Sequence, residues 1–279
     1  MHLVIGMALL AASVTGAVIV KPVANMYSRP SEEADVVSQA ICGNNVTILE
    51  EKAGWAHVRT EDEYTGWTRV SSLRQLGPGE RPYASFGRIA QVASLFANLY
   101  HEPDVTKHQP FLTAPFETKL EVIRESDAAG RWLEVRLPDN RPAFVQTGDV
   151  VLDARPMSIR ETIELSKRFL GLPYAWGGTS TFGFDCSGFM QMLCRRRGIV
   201  IPRDANVQEK WQGAEAVDRE RLEPGDLLFF GESKVTHTGM YIGNGQFINA
   251  TTHERPVVQI SDLADPYWAK RFLTARRIK

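Results

Sequence analysis

Phe184-Asp185-Cys186-Ser187-Gly188-Phe189 opens a run that continues to Cys194-Arg195-Arg196-Arg197-Gly198, approached through Pro173-Tyr174-Ala175-Trp176-Gly177-Gly178. The run reads as a helix starting at Cys186, with Asp185 suited to the N-cap and Gly198 to the C-terminal cap. Cys186 then sits in the first turn. Unpaired backbone N–H groups and the positive end of the macrodipole there favour thiolate over thiol, and the same groups can donate to a developing oxyanion. Upstream, Ile159, Ile163, Leu165, Ser166 and Phe169 follow helical spacing, closed by Gly171 before Pro173. Cys194, deep in the Cys186 helix, and Cys42 read as small buried hydrophobes.

A nucleophilic cysteine needs a base. Downstream, His237 opens the apolar run Gly239-Met240-Tyr241-Ile242, followed by Gly243-Asn244-Gly245 and Gln246-Phe247-Ile248-Asn249-Ala250, a hairpin signature. Loop length decides which side chains share a face. A two-residue Asn244-Gly245 turn pairs Gly243 with Gln246 and would put His237 and Asn249 on opposite faces. A three-residue loop pairs Ile242 with Gln246, sets His237 opposite Thr251, and makes Asn249 its same-face diagonal neighbour. The three-residue loop is expected, with Asn249 holding the imidazole in its useful tautomer. His253, beyond the apolar run, is the alternative orienter or base.

These segments resemble the NlpC/p60 cysteine peptidases over residues 157–279: Tyr174-x-Trp176-Gly177-Gly178, Asp185-Cys186-Ser187-Gly188, Arg203-Asp204, Pro224-Gly225-Asp226-Leu227-Leu228-Phe229-Phe230 and His237-x-Gly239-x-Tyr241-x-Gly243. The resemblance implies a circularly permuted, papain-like α+β domain. It implies Cys186 as nucleophile, His237 as base, Asn249 as orienter and Tyr174 beside the oxyanion site. The family commonly has a third His where this chain has Asn249; an Asn can orient an imidazole but cannot share its proton.

Working outward, the preceding chain repeats itself. Val23-Ala24-Asn25-Met26-Tyr27-Ser28-Arg29-Pro30 recurs as Phe96-Ala97-Asn98-Leu99-Tyr100-His101-Glu102-Pro103, and Trp55-Ala56-His57-Val58 as Trp132-Leu133-Glu134-Val135. Short alternating strands between turn residues predict two small all-β barrels, which resemble tandem bacterial SH3 domains over 18–76 and 84–152. Gly77-Pro78-Gly79-Glu80-Arg81-Pro82 reads as the linker between them. Trp55, Trp67 and Trp132 are read as packing residues. Residues 1–17 read as a leader, cleaved or anchoring, although the stretch before the apolar run carries only His2 and no Lys or Arg.

Two such barrels before this peptidase resemble enzymes that cleave the γ-D-glutamyl–diamino acid bond of peptides with a free N-terminal L-Ala. That likeness implies peptidoglycan stem peptides or muropeptides as partners. It places an acid for the ammonium at Asp204, with Asp185 and Ser187 as further candidates, and a wall from the first barrel at Tyr64. A location in the cell envelope or outside the cell is implied, a cytoplasmic one being the alternative. A wall-binding protein with an inactive peptidase domain, and an amidase or acyltransferase on the same fold, are the other readings.

Composition is consistent with this. The 279 residues carry 32 Lys+Arg against 33 Asp+Glu, a formal charge of −1, so no field recruits nucleic acid. Three cysteines without a CxxC spacing argue against a disulfide scaffold or a structural zinc site. No cofactor or metal is expected, nor stable membrane insertion beyond the leader, and the protein is expected to be a monomer. Arg195-Arg196-Arg197 is expected to lie solvated at the helix C-terminus, complementing its dipole.

Overall fold

The structure, a computed structural model, describes residues 15–125 and 130–279. It is mostly β. The first unit contains β1 (Thr15–Ile19), β2 (Val23–Tyr27), β3 (Val36–Ile41), β4 (Asn45–Lys52), β5 (Trp55–Arg59), β6 (Thr65–Arg69) and β7 (Leu73–Gln75). The second contains β8 (Ile89–Val92), β9 (Phe96–Tyr100), β10 (Leu112–Pro115), β11 (Lys119–Glu125), β12 (Trp132–Arg136), β13 (Pro142–Gln146) and β14 (Val150–Leu152).

Each unit forms one antiparallel sheet, and the strand orders correspond position for position: β3-β2-β6-β5-β4-β1-β7 and β10-β9-β13-β12-β11-β8-β14. The repeat read from the sequence is therefore a repeat of topology. Alternation explains it locally: in β2, Ala24 and Met26 turn inward while Val23, Asn25 and Tyr27 are half-buried. Equivalent aromatic pairs brace both copies, Tyr27 edge-on to Trp55 at 5.5 Å and Tyr100 edge-on to Trp132 at 5.6 Å. Between the sheets, the buried Tyr83 donates its hydroxyl proton to the Arg136 carbonyl, and its N–H to Asn45 Oδ1, so the linker ends in an anchor.

The leader expected over 1–17 lies outside the described residues except for its last three positions, and these belong to the fold. β1 pairs with both β4 and β7, and Ala17 is fully buried in the first core. Among the described residues the first unit thus takes in Thr15–Ala17, ahead of the expected boundary at residue 18. The small residues that close the expected leader are there because the surroundings of β1 leave little room: a Cβ on Gly16 would sit 3.2 Å from Leu76. No helix among the described residues is long and apolar enough to cross a membrane.

The third unit begins with α1 (Ile159–Lys167), held by a Ser158/Glu161 capping box. Next come the short strands β15 (Thr179–Ser180) and β16 (Gly183–Phe184), then α2 (Cys186–Arg196) and α3 (Ala205–Gln208). An antiparallel sheet follows, of order β17-β22-β18-β19-β20-β21. Its strands are β17 (Ala214–Val217), β18 (Leu227–Gly231), β19 (Val235–Gly243), β20 (Gln246–Thr251), β21 (Val257–Asp262) and β22 (Phe272–Ile278), with α4 (Pro266–Arg271) before the last. Phe169, Phe184, Phe189 and Phe229, all fully buried, form the core between α2 and the sheet.

α2 is buried along its length because the second unit covers its far end. There the expectation of three solvated arginines fails. Arg195 pairs with the buried Glu117 carboxylate at 2.8 Å, and Arg196, itself buried, donates to Gln91 Oε1. The cations still complement the helix dipole, but docking of a neighbouring sheet supplies the acceptors that water was expected to provide.

Candidate active site

Cys186 is the first residue of α2, and Asp185 is its N-cap, accepting from the Gly188 N–H at 2.7 Å. The Asp185 carboxylate has no room for another partner. It also accepts from the Gly177 N–H at 3.1 Å, and the buried Arg203 guanidinium grips both oxygens at 3.0 and 2.6 Å. Arg203 further donates to Ser187 Oγ at 2.8 Å and to Ser38 Oγ of β3 at 3.1 Å. Such a pair is tolerated in the interior only because nearly every donor and acceptor is matched. The motif glycines have a steric cause: a Cβ on Gly188 would collide with the Gly178 carbonyl, and one on Gly178 with the Gly183 carbonyl. The turn before the helix is pressed against the helix start, which fixes where the sulfur points.

His237, the expected base, is carried by the β19–β20 hairpin, though not through the expected loop. Gly243 pairs with Gln246, so the turn is the two-residue Asn244-Gly245, with φ of 53° and 74°. Both values lie in the left-handed region that an Asn-Gly type I′ turn requires. Ile242 then bulges out of β19, and from Tyr241↔Phe247 and Met240↔Ile248 onward the register is the one a three-residue loop would have imposed. His237 and Asn249 consequently meet, with Nε2 of the ring 2.9 Å from Asn249 Oδ1.

The tautomer follows from the next bonds. Asn249 is fully buried, and its Nδ2 donates to the Gln259 carbonyl at 3.2 Å and to Ser261 Oγ at 3.1 Å. Its Oδ1 is therefore the atom facing the ring and can only accept, so Nε2 carries the hydrogen and Nδ1 is bare. His253 does not compete for this place; its ring stacks on Tyr267 at 3.7 Å. Trp268 packs on His237 with 4.9 Å between centroids.

Burial dominates the electrostatics. It pushes the Cys186 thiol up to about 12, helped by the Asp185 charge, against the Thr238 N–H, Arg203 and the Ser187 N–H, which act in the other direction. Burial likewise holds His237 down at about 4, partly offset by its bond to Asn249. The helix end alone thus does not make the sulfur anionic, contrary to the sequence-based expectation. Each group by itself is neutral at pH 7, and a proton passed between them creates two opposite charges that attract in a poorly screened cleft.

Cys186 and His237 line one cavity of about 470 Å³, bordered by Tyr174, the exposed Trp176, the β18–β19 turn and α4. Burial raises the Tyr174 phenol well above its usual value, which keeps it a hydrogen-bond donor. The Cys186 N–H has no acceptor among the described hydrogen bonds. Together these two groups can serve a developing oxyanion.

Of the residues expected to hold an ammonium, Asp204 and Tyr64 come together across two units: the Tyr64 hydroxyl lies 3.3 Å from both carboxylate oxygens. Asp204 occupies the N-cap of α3 without capping it. Burial raises its carboxyl above the usual range, with Arg203 opposing. Asp185 and Ser187, by contrast, are turned inward onto Arg203. Arg203 is the functional residue whose role the sequence left unread; its signal was a cation beside an acid just after Pro202. Trp268 was missed because it lies 31 residues beyond His237, in a short helix with no motif of its own.

Residues 171–277 match the model of the NlpC/P60 family, and residues 26–73 match that of the bacterial dipeptidyl-peptidase Sh3 domain. The chain is 33% identical over 258 residues to a γ-D-glutamyl-L-lysine dipeptidyl-peptidase of Bacillus cereus, covering 86% of this chain and 74% of the relative. A protein of the same name from Bacillus subtilis is 26% identical over 254 residues, covering 87% and 81%. The crystal structure of an NlpC/P60 family protein from Bacillus cereus superposes with a TM-score of 0.82 at 28% identity, over 94% of this chain and 99% of that one.

Proposed function

Since the chain belongs to the NlpC/P60 family, we propose that it is a cysteine endopeptidase hydrolysing the γ-D-glutamyl–diamino acid bond of peptidoglycan stem peptides with a free N-terminal L-alanine. The observation that carries this reading is the His237–Asn249 bond, which leaves Nδ1 bare on a ring that lines the same cavity as Cys186. Nδ1 takes the thiol proton as Sγ adds to the γ-carbonyl carbon. The tetrahedral oxyanion is met by the Cys186 N–H and the Tyr174 hydroxyl, and His237 then protonates the departing amine. Water, deprotonated by Nδ1, attacks the thioester, releasing L-Ala-γ-D-Glu and restoring the thiol.

The requirement for a free amine rests on Asp204 and Tyr64. A half-buried carboxylate with one hydroxyl donor leaves acceptor capacity that an ammonium fills and an acylated nitrogen does not. The architecture behind this reading is two SH3-like barrels followed by a papain-like α+β domain. The matching strand orders of the first two sheets support the barrel pair, and the helix-borne Cys186 facing a strand-borne His237 supports the third. The protein acts as a monomer on cell-wall peptides.

The test is mass-spectrometric detection of L-Ala-γ-D-Glu after incubation with L-Ala-γ-D-Glu-L-Lys, the N-acetylated form serving as comparison. Release from the free amine alone, abolished in Cys186→Ala, is expected. Turnover surviving Cys186→Ala rejects the mechanism, and equal turnover of the acetylated peptide rejects the amine site.

A further inference from the structure

The imidazole that protonates a leaving amine must stand on the leaving-group side of the scissile bond. That assigns the part of the cavity lined by His237, the β18–β19 turn and α4 to the departing peptide; neither Asp204 nor Tyr64 lines this cavity. Its far wall is cationic. Arg271, in the last turn of α4, is fixed by donating to the Tyr267 carbonyl at 3.3 Å and by lying 3.8 Å over the Tyr267 ring. Lys234, on the exposed β18–β19 turn, lines the same cavity and has no ion partner among the described residues. The one acid on this wall, Glu232, is 82% exposed and touches Arg271 only at 3.5 Å, an arrangement worth little in water and readily displaced.

From this juxtaposition we propose that Arg271 and Lys234 bind a carboxylate of the departing peptide. An amine-only side chain such as that of lysine gives them nothing to bind. A diamino acid whose side chain ends in a carboxylate, as diaminopimelate does, supplies one directly; a free chain-terminal carboxylate next to the cleaved bond is the other source of the same chemistry. Arg271 presents a fork suited to a carboxylate, and Lys234 adds a point charge at the rim. Tyr267 and Trp268 also line this part of the cavity, their rings held by His253, Arg271 and His237.

This inference rests on the endopeptidase reading, and three peptides separate the two: L-Ala-γ-D-Glu followed by diaminopimelate, by lysine or by lysinamide. The wild type is expected to favour a carboxylate-bearing peptide over lysinamide by about tenfold or more in kcat/KM, the ratio that one charge-assisted contact supports. Diaminopimelate above lysine identifies the side chain as the source; lysine equal to diaminopimelate, both above lysinamide, identifies the chain terminus. The preference should shrink toward unity in Arg271→Gln and in Lys234→Gln, the latter altering only an exposed side chain. Equal cleavage of all three peptides by the wild type, or a preference unchanged in both variants, overturns the inference while leaving the endopeptidase reading intact. Cleavage of none overturns both.

Discussion

The hydroxyl of Tyr64 lies 3.3 Å from each carboxylate oxygen of Asp204, although the two residues stand 140 positions apart and belong to different folding units. The contact joins a phenol from the loop between β5 and β6 to an acid at the start of α3.

Asp204→Asn should raise KM for the free-amine tripeptide by about tenfold or more, since it removes the ammonium's counter-charge, and Tyr64→Phe by a smaller factor. The pH dependence has a definite sign. Burial raises the Asp204 carboxyl, so kcat/KM for free-amine peptides should fall on acidification at a higher pH than an ordinary carboxylate would give, and Asp204→Asn should lack that limb. A raised carboxyl stabilises the fold when protonated, and that contribution is lost as pH rises through the folded pKa. Asp204→Asn should therefore melt higher than the wild type at pH 7 but not near pH 3. A lower melting temperature at pH 7 would show that the carboxylate does more structural service than its surroundings indicate.

Without an imidazole to receive its proton, the Cys186 sulfur is governed by burial and the Asp185 charge, which outweigh the Thr238 and Ser187 N–H groups and Arg203. A thiol pushed up by burial carries very little thiolate at pH 7. His237→Ala should accordingly slow alkylation of Cys186 by iodoacetamide at pH 7 by tenfold or more, followed by intact mass. An unchanged rate would mean that the helix end activates the sulfur without the ring.

Asn249→Ala removes the acceptor that fixes Nε2–H and strands the Gln259 carbonyl and Ser261 Oγ in a buried site. We expect kcat to drop by roughly a hundredfold with little change in KM, the loss of a positioning group rather than of binding. A fall in stability of about 1–3 kcal/mol should accompany it. A change confined to KM contradicts the positioning role.

Arg203→Met leaves the Asp185 carboxylate buried without its cation and should cost about 3–5 kcal/mol, read as a large drop in melting temperature. Adding Asp185→Asn should recover a substantial part, because the uncompensated charge is then gone. No recovery in the double variant would place the cost in lost packing instead.

The helix start at Cys186 and its Asp185 cap were legible because helix-start chemistry is local: Asp185, Cys186 and Gly188 stand within four residues. The meeting of His237 and Asn249 was legible for a less direct reason. Hairpin faces depend on parity, and two deviations, the shorter Asn244-Gly245 turn and the Ile242 bulge, cancel. No sequence rule distinguishes that cancellation from a true three-residue loop. What stayed hidden was set by docking between units. Arg195 and Arg196 meet Glu117 and Gln91 across 78 and 105 positions, and Arg203 reaches Ser38 of β3 across 165, which no local pattern encodes. Thr15-Gly16-Ala17 read as the end of a leader because a tightly packed strand uses the same small residues.

Gly177 carries the widest consequence. At its φ of 74° a side chain would be strained, and a Cβ there would also run into the Val36 carbonyl of β3. The loop bearing Tyr174 and Trp176 is thus cast against a mould that another folding unit provides. A chimera joining residues 157–279 to an unrelated partner would inherit the nucleophile and the imidazole, yet this loop would rest on empty space. Module shuffling can transmit the chemistry by itself; the shape of the cleft's near wall passes on only when both pieces travel together.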